Sequence, residues 1–349
     1  MPFATPAARR LFGRPDGVEL TVAELRAPRL ADAIEEARAS RVAVEVEFSL
    51  QRASATHLCA QVVPLTEEAR FGLGADAERP DLLVAVEDRT RARRSEELHR
   101  DFVANASHEL KTPLAALSGL IETLLGHGRD DPEALARFLP MMATQTERMR
   151  RLVEDLLSLN RIELNERRRP QEPVDILSVL REAVEALRPM AEAEGARLVV
   201  PAIETTERVL VPAAREEIAQ VFANLIENAI KYGGRGNEVR VERLDGVAGR
   251  AGMIGFGVED DGPGIAREHL PRLTERFYRV SVPRSRERGG TGLGLAIVKH
   301  VLNRHRASLE IESRVGHGSR FTVWLPLMAE AGSAAGAKAA RSGRRQPAT

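Results

Sequence analysis

Cysteine and long apolar runs are scarce in this sequence, and each scarcity excludes a class of protein. The only cysteine, Cys59, permits no disulfide within the chain and no cysteine-based metal cluster, so we expect a reducing compartment and treat it as a core residue. No run approaches the ~18 apolar residues of a transmembrane helix, and no signal peptide opens the chain. We therefore expect a cytoplasmic protein with no membrane span in this chain.

The chain also lacks an excess of charge of either sign. Lysine plus arginine and aspartate plus glutamate number 51 each, so no global field attracts nucleic acid or an anionic membrane. Hydrophobic residues make up 43% of the 349 residues, which is ordinary for globular domains, and the length allows two or three of them. These figures predict a multidomain protein that binds no nucleic acid.

The most informative stretch runs from Phe102 to Leu124 and has His108 at its centre. His108 lies two positions from both Ala106 and Leu110, about 200° around a helix from each, so it should face solvent. Pro113 removes one backbone hydrogen bond nearby and should bend the helix. The stripe that predicts the buried face of this helix consists of Leu98, Phe102, Ala106, Leu110, Leu114, Leu117, Ile121 and Leu124.

The neighbours of His108 suit phosphoryl chemistry. A neutral imidazole is a competent nucleophile, and its attack on phosphorus mainly requires in-line access and charge stabilisation. Glu109 could hold or accept the ring proton, and the hydroxyl of Thr112, one helical turn on, could position water. The alternative is that His108 is an ordinary surface histidine. That alternative is the stronger one unless the chain also contains a nucleotide site, and a candidate for such a site follows further along.

The segment ASHELKTPL resembles the phosphoacceptor box of sensor histidine kinases, specifically the type that also has phosphatase activity. The resemblance implies that His108 is the phosphorylated residue and that Glu109 is the acid/base residue. It also implies that Thr112 is the phosphatase residue. Each role is carried over by position in the motif.

Residues 1–90 precede this helix and resemble the later part of a PAS sensor domain. Three segments with alternating apolar residues predict antiparallel strands: VAVEVEFSL, THLCAQVVPL and DLLVAVED. The opening strands of the PAS family are missing. Either the chain begins downstream of them, or an upstream segment with transmembrane helices is absent and the protein lies at the inner face of the plasma membrane. No aromatic cage or His/Cys pattern indicates a cofactor here.

Residues 91–166 predict a helical hairpin. The charged run after Thr90 should continue as one helix into the histidine box, and Asp131 with Pro132 predicts the start of a second helix. Two helices cannot close a core, so we expect a homodimer with an antiparallel four-helix bundle. The apolar stripe of the second helix, at close to heptad spacing, consists of Leu135, Phe138, Met142, Met149, Leu152, Leu156 and Leu159.

A polar hinge at residues 165–173 leads into a third domain, residues 167–329. The segment VDILSVLREAVEALRPMAEAEG predicts a helix, and IAQVFANLIENAIKYGG predicts another that carries Asn224 and Asn228 on one face. An amide oxygen is a hard ligand that suits Mg²⁺. After the strand MIGFGVED, the carboxylate of Asp260 could accept a hydrogen bond from an adenine amino group. The stretch GGTGLG opens a further helix, whose N-terminus can bind phosphate.

Four segments of this domain, NLIENAIKYG, EDDGPGI, ERFYRV and GGTGLGLAIV, resemble in order the N, G1, F and G2 boxes of the histidine kinase catalytic domain. The resemblance implies an α/β sandwich of the Bergerat type that uses ATP and Mg²⁺. It assigns Mg²⁺ to Asn228 with support from Asn224, and adenine to Asp260. The other nucleotide-binding positions that it implies are Lys231, Tyr232, Gly262, Gly264, Phe277, Arg279, Arg286, Gly290, Thr291, Gly292, Leu293 and Gly294. Arg286 is placed only by its distance from the glycines.

The chain as a whole therefore resembles the PAS-containing sensor kinases of phosphate-regulon systems, an α+β multidomain protein. The resemblance implies that it autophosphorylates His108 from ATP, transfers the phosphoryl group to an aspartate of a response regulator, and dephosphorylates that regulator. Two alternatives remain: a clamp-type ATPase with the same nucleotide-binding fold, and a nucleotide-regulated scaffold without chemistry. Residues 330–349 carry basic residues, no acids and no periodicity, and predict a disordered tail.

Overall fold

The structure is a computed structural model that describes residues 5–12, 27–50, 55–65, 81–126, 131–166, 168–201, 207–234, 236–246, 249–280 and 290–328. The chain divides into two compact units, Met1–Asn105 and Ala106–Thr349. Arg286 and the predicted tail at residues 330–349 lie outside the described residues. No helix within the described ranges combines the length and the apolar composition needed to cross a bilayer.

The first unit contains a three-stranded antiparallel sheet with the order β1-β2-β3. Alternate strand residues such as Phe48, Leu58 and Val62 pack with Leu30 and Ala37 of the helix that precedes the sheet, and all five are at most 6% exposed. The strands predicted from alternating apolar residues are therefore confirmed. Its elements are α1 (Pro6–Leu11), α2 (Pro28–Ser40), β1 (Val44–Leu50), β2 (Thr56–Pro64) and β3 (Leu82–Asp88).

Two long helices follow, α3 (Thr90–Leu125) and α4 (Pro132–Leu164). As predicted, one helix runs from Thr90 through the histidine box, and it continues through Pro113. Asp131 caps α4, as predicted, because its carboxylate accepts hydrogen bonds from the backbone N–H groups of Glu133 and Ala134 at 2.9 and 3.2 Å.

The rest of the second unit is a sheet covered by helices. The five strands have the order β5-β7-β8-β10-β9, with β5 parallel to β7 and the other neighbours antiparallel. A short antiparallel pair, β4 and β6, forms a separate sheet. The elements are β4 (Pro173–Asp175), α5 (Ile176–Glu194), β5 (Arg197–Val199), β6 (Leu210–Pro212), α6 (Arg215–Gly233), β7 (Glu238–Leu244), β8 (Met253–Asp260), α7 (Gly294–Arg304), β9 (Ser308–Ser313) and β10 (Ser319–Pro326).

One predicted boundary needs correction. The helix expected to include Val174 begins at Ile176, because residues 173–175 pair with β6 as a strand. Asp175 then ends the strand and caps α5, since its carboxylate accepts a hydrogen bond from the backbone N–H of Leu177 at 3.2 Å. A side-chain cap and a strand ladder outweighed the helical periodicity at this point.

The core of the sandwich lies between the sheet and its helices. Phe222 of α6 meets Phe256 of β8 edge to face, with ring centroids 5.6 Å apart, and both side chains are fully buried. Burial of one such side chain is worth roughly 1.5–3 kcal/mol. Trp324 of β10 is only 4% exposed. This packing holds the middle of β8 against α6.

Helix α4 buries only part of its apolar surface against the rest of the chain. Leu152, Leu159 and Ile162 are at most 3% exposed, and α4 contacts α7 of the sandwich. A second set of apolar side chains on α4 is between 43% and 80% exposed: Leu139, Val153, Leu157 and Leu164. This second set was not part of the predicted stripe.

Candidate active site

A cavity of about 710 Å³ lies where the end of β8, one face of α6 and the start of α7 meet helix α4. Of the predicted nucleotide-binding residues, Gly262, Phe277 and Leu293 are not among those that line it, and Arg286 lies outside the described residues. Those that line it are Asn224, Asn228, Lys231, Tyr232, Asp260, Gly264, Arg279, Gly290, Thr291, Gly292 and Gly294. The structure thus brings together predicted residues that are up to 70 positions apart in sequence, from Asn224 to Gly294.

The amphipathic helix α6 places both asparagines at the cavity. Its apolar residues, such as Phe222 and Ile226, are buried against the sheet, whereas Asn224 and Asn228 lie on the half-buried side. A Cβ atom at Gly294 would lie 2.9 Å from Oδ1 of Asn224. The glycine therefore allows the N-terminus of α7 to approach an amide oxygen closely.

Asp260 ends β8 and is only 7% exposed. Its Oδ1 accepts a hydrogen bond from the backbone N–H of Gly262 at 3.0 Å. Burial raises the pKa of Asp260 from 3.8 to about 6, although the hydrogen bond from Gly262 favours the ionised form. At neutral pH the carboxylate can still accept a hydrogen bond from an amino group.

Two glycines allow the loop after β8 to pack closely against neighbouring backbone. A Cβ atom at Gly262 would lie 2.6 Å from Cα of Gly233 at the end of α6. Gly264 has a φ of +68°, and a Cβ there would lie 2.1 Å from the carbonyl oxygen of Arg314. Any larger residue would push the loop away from the cavity wall.

Asn237 braces the same loop and was not singled out from the sequence. It is 3% exposed, its Nδ2 donates to the carbonyl oxygen of Ala229 at 2.9 Å, and its Oδ1 accepts from the backbone N–H of Asp261 at 3.2 Å. The amide therefore ties α6 to the loop that carries Asp260. Its only sequence signal is a position just after the glycines that end α6.

His108 is exposed on α3, as its offset from the apolar stripe predicted. The hydroxyl of Thr112 is exposed and donates to the backbone carbonyl of His108 at 3.1 Å. Glu109 is held from two sides, because Nη2 of Arg148 and Nη2 of Arg279 each donate to its Oε2 at 3.0 Å. Its side chain is 12% exposed and that of Arg279 is 5% exposed. The residue beside the histidine thus contacts a residue that lines the cavity.

Helix α4 contributes further residues that sequence reasoning missed. The hydroxyl of Thr291, in the glycine-rich segment Gly290–Gly294, donates to Oδ2 of Asp155 at 2.7 Å, and burial raises the pKa of Asp155. Glu163, near the end of α4, pairs with Arg276 of the loop that also carries Arg279. These partners lie more than 100 positions apart, so no local pattern could have indicated them.

The donor and acceptor set fits an adenine nucleotide with a divalent cation. A buried carboxylate can accept from the adenine amino group, amide oxygens suit Mg²⁺, and the start of α7 can bind phosphate. Nε of Arg279 is buried and has no hydrogen-bond partner among the described residues, although this side chain lines the cavity. A buried donor of this kind suits an anionic ligand.

Two family models match the chain. The His Kinase A (phospho-acceptor) domain matches residues 98–165, and the Histidine kinase-, DNA gyrase B-, and HSP90-like ATPase matches residues 213–329. The sensor-like histidine kinase SenX3 of Mycobacterium tuberculosis is 36% identical over 288 residues, which are 82% of this chain and 67% of that protein. The chain belongs to the sensor histidine kinase family. The ATPase-family match means that an ATP-using domain is present.

Two further relatives of the chain belong to the same family. The phosphate regulon sensor protein PhoR of Pseudomonas aeruginosa is 40% identical over 261 residues, which are 74% of this chain and 57% of PhoR. SenX3 of Mycolicibacterium smegmatis is 39% identical over 262 residues, 75% of this chain and 66% of that protein. The chain thus spans 57% and 66% of these two relatives, and the predicted resemblance to phosphate-regulon sensor kinases is confirmed.

The solved structure of histidine kinase ThkA in complex with response regulator protein TrrA has the same fold. It superposes with a TM-score of 0.51, at 19% identity, over 92% of this chain and 90% of that one. The predicted combination of a helical phosphoacceptor segment and an α/β ATP-binding sandwich is therefore confirmed as a fold.

Proposed function

We propose that this member of the sensor histidine kinase family autophosphorylates His108 from ATP bound with Mg²⁺ and passes the phosphoryl group to an aspartate in the receiver domain of a response regulator. One observation carries the proposal. An exposed histidine on α3 lies in the same compact unit as a cavity that gathers Asn224, Asn228 and Asp260.

The residues of the cavity have separate roles in this proposal. Asp260 accepts a hydrogen bond from the adenine amino group, and Asn228 binds Mg²⁺ with support from Asn224. Lys231 approaches the phosphates, and Tyr232 lies at the rim of the cavity with 38% of its surface exposed. The segment Gly290–Gly294 and Arg279 form the mobile cover of the site, which Phe277 supports because its backbone N–H donates to the carbonyl oxygen of Gly292 at 2.8 Å.

The phosphoryl transfer is a displacement of ADP from the γ-phosphorus by His108. A ring nitrogen of His108 attacks the γ-phosphorus, the bond to the β–γ bridging oxygen breaks, and ADP leaves. Mg²⁺ held by Asn228 would neutralise the developing charge. Glu109, which Arg148 and Arg279 hold at Oε2, takes the ring proton. The sandwich must move relative to α3 to deliver the phosphoryl group, and the hinge at residues 165–173 permits that movement.

We propose that Thr112 takes part in a second activity, hydrolysis of the phosphate on the regulator. Its exposed hydroxyl lies one turn from His108 and positions water for attack on the phosphorylated aspartate of the regulator. The response regulator partner is supported by the solved complex of ThkA with TrrA, which has the same fold.

We further propose a homodimer and a four-part organisation. The parts are a PAS-like sensor domain at residues 1–90, a phosphotransfer hairpin at 91–166, a catalytic domain at 167–329 and a tail at 330–349. The exposed apolar set on α4 supports dimerisation, since Leu139, Val153, Leu157 and Leu164 would pack in a four-helix bundle with a second copy.

Incubation of the purified chain with γ-labelled ATP and Mg²⁺ tests the proposed function. We expect label on the protein that survives base and is lost in acid, as phosphate on histidine nitrogen behaves. Chelation of Mg²⁺ or the substitution Asn228→Ala should abolish the label. ATP hydrolysis without protein label would favour the clamp-type ATPase instead, and nucleotide binding without any chemistry would favour the scaffold.

A further inference from the structure

Helix α4 forms one wall of the nucleotide cavity. Arg150, Arg151, Glu154 and Asp155 all line it, although they belong to the phosphoacceptor-family segment and not to the α/β sandwich. The roles proposed above place the direct nucleotide contacts in the sandwich. These four charged side chains of α4 therefore have no function in that account.

Arg151 connects this wall to α6, at the end of the site where the phosphates are proposed to lie. Its Nη1 lies 3.5 Å from Oε1 of Glu227, and its Nε donates to Glu147 at 2.9 Å. Glu227 immediately precedes Asn228 on α6 and also forms an ion pair with Lys231. One carboxylate at the cavity is thus shared by two cations, one from α4 and one from α6.

A triphosphate that enters the cavity would compete with the Glu227 carboxylate for Arg151 and Lys231. The polyanion repels Glu227 and attracts both cations, and a guanidinium offers paired donors that match phosphate oxygens. The side chain of Arg151 is 42% exposed, so it can turn from Glu227 to the ligand without leaving a buried charge unpaired. Lys231 is 10% exposed and more restricted.

We propose that Arg151 is a phosphate-binding residue of the nucleotide site, supplied by helix α4, and that Glu227 holds it until a nucleotide with several phosphates binds. This inference rests on the proposed ATP-binding function. The hydrogen bond from Thr291 to Asp155 supports it, because the glycine-rich segment that covers the phosphates contacts the same helix. ATP affinity and the docking of the sandwich on α4 are then coupled in both directions.

Equilibrium binding of ATP and of adenosine to the full chain tests the inference. Arg151→Ala should weaken ATP binding roughly three- to tenfold, the loss of one charge-assisted hydrogen bond at a partly exposed site, and leave adenosine binding unchanged. Arg151→Lys should recover part of the loss. Arg161→Ala is the matched control, because Arg161 is an exposed arginine of the same helix that does not line the cavity, and it should bind ATP as the unaltered chain does.

The substitution Glu227→Gln should change ATP affinity in the opposite direction. Removal of the competing carboxylate should tighten ATP binding, again without effect on adenosine, whereas a purely structural carboxylate would weaken it when replaced. Unchanged ATP binding by Arg151→Ala, or equal weakening of ATP and adenosine, would overturn the inference and leave the proposed function intact. If the unaltered chain binds no ATP, the proposed function fails, and this inference fails with it.

Discussion

Asp260 combines burial with charge, and the two oppose each other. Its carboxyl group is 7% exposed, and its pKa is raised from 3.8 to about 6. Between these two pH values the folded chain holds a proton that the unfolded chain releases, so this group favours folding at low pH and that contribution is lost as pH rises through 6. At neutral pH the ionised carboxylate therefore lowers the stability of the fold, and the proposed adenine contact is the reason to retain it.

Asp260→Asn should separate these two effects. We expect the free energy of unfolding to rise by roughly 1–2 kcal/mol at pH 8, with a smaller gain at pH 4, because a buried charge is removed. ATP binding should weaken, since a neutral amide accepts less strongly than a carboxylate. Urea unfolding at both pH values and an ATP titration measure the two effects. Equal destabilisation at both pH values would show that the carboxylate is structural.

Thr112 offers a second test at the level of one residue. Its hydroxyl bonds a carbonyl within its own helix and is exposed, so Thr112→Ala should change stability by no more than about 0.5 kcal/mol. We expect near-normal autophosphorylation but dephosphorylation of the phosphorylated regulator slowed roughly 10²-fold.

The conservative variant Thr112→Ser keeps the hydroxyl and serves as the control for that experiment. It should retain most of the phosphatase rate. If Thr112→Ala lost both activities to the same degree, the separate role of Thr112 would be wrong.

Within the α/β sandwich, His305 connects the end of α7 to the start of α6. Its ring is fully buried just after α7. Its Nε2 accepts a hydrogen bond from the backbone N–H of Ala214, the N-cap residue of α6, at 3.0 Å, and its Nδ1 donates to the carbonyl oxygen of Val301 at 2.8 Å. Ala214 has no side chain that could cap α6. Burial lowers the pKa of His305, so the neutral ring is the form that the fold holds.

The stability of the sandwich should therefore depend on the protonation of this histidine. A lowered folded pKa means that the contribution of His305 is complete above its unfolded value of 6.5 and is lost as pH falls from there through the folded pKa. His305→Asn should cost roughly 1–3 kcal/mol at pH 8, because the half-buried backbone N–H of Ala214 loses its acceptor.

Thermal unfolding of both proteins between pH 8 and pH 5 measures this dependence. The difference in stability between the unaltered chain and His305→Asn should shrink as pH falls below 6.5. Glu217, whose carboxylate lies 3.8 Å from Nδ1, is common to both proteins. A difference that stays constant across the range would contradict the assigned role.

At the scale of the whole molecule, the sequence predicted local features well and long-range contacts poorly. The exposure of His108 followed from its offset to two apolar neighbours, and the cap by Asp131 followed from residue type. In contrast, Arg279 reaches Glu109 across 170 positions, and Thr291 reaches Asp155 across 136. Such pairs depend on how α4 packs on the sandwich, which periodicity does not encode.

The exposed apolar set on α4 predicts the behaviour of the chain in solution. We expect a dimer in sedimentation experiments, and Leu157→Asp, at a side chain that is 61% exposed, should shift it toward the monomer without loss of ATP binding. The control is Val315→Asp, at a residue of the β9–β10 turn that is 63% exposed, which should remain a dimer. A monomeric unaltered chain would show that the four-helix bundle does not form.

The most direct test of the central claim is to locate the phosphoryl group after reaction with ATP. Autophosphorylation of the unaltered chain should be compared with His108→Gln and with His317→Gln, which replaces another exposed histidine. We expect the label to vanish in His108→Gln and to persist in His317→Gln, while all three proteins bind ATP equally. Label that remains on His108→Gln would contradict the assignment of His108 as the phosphoacceptor.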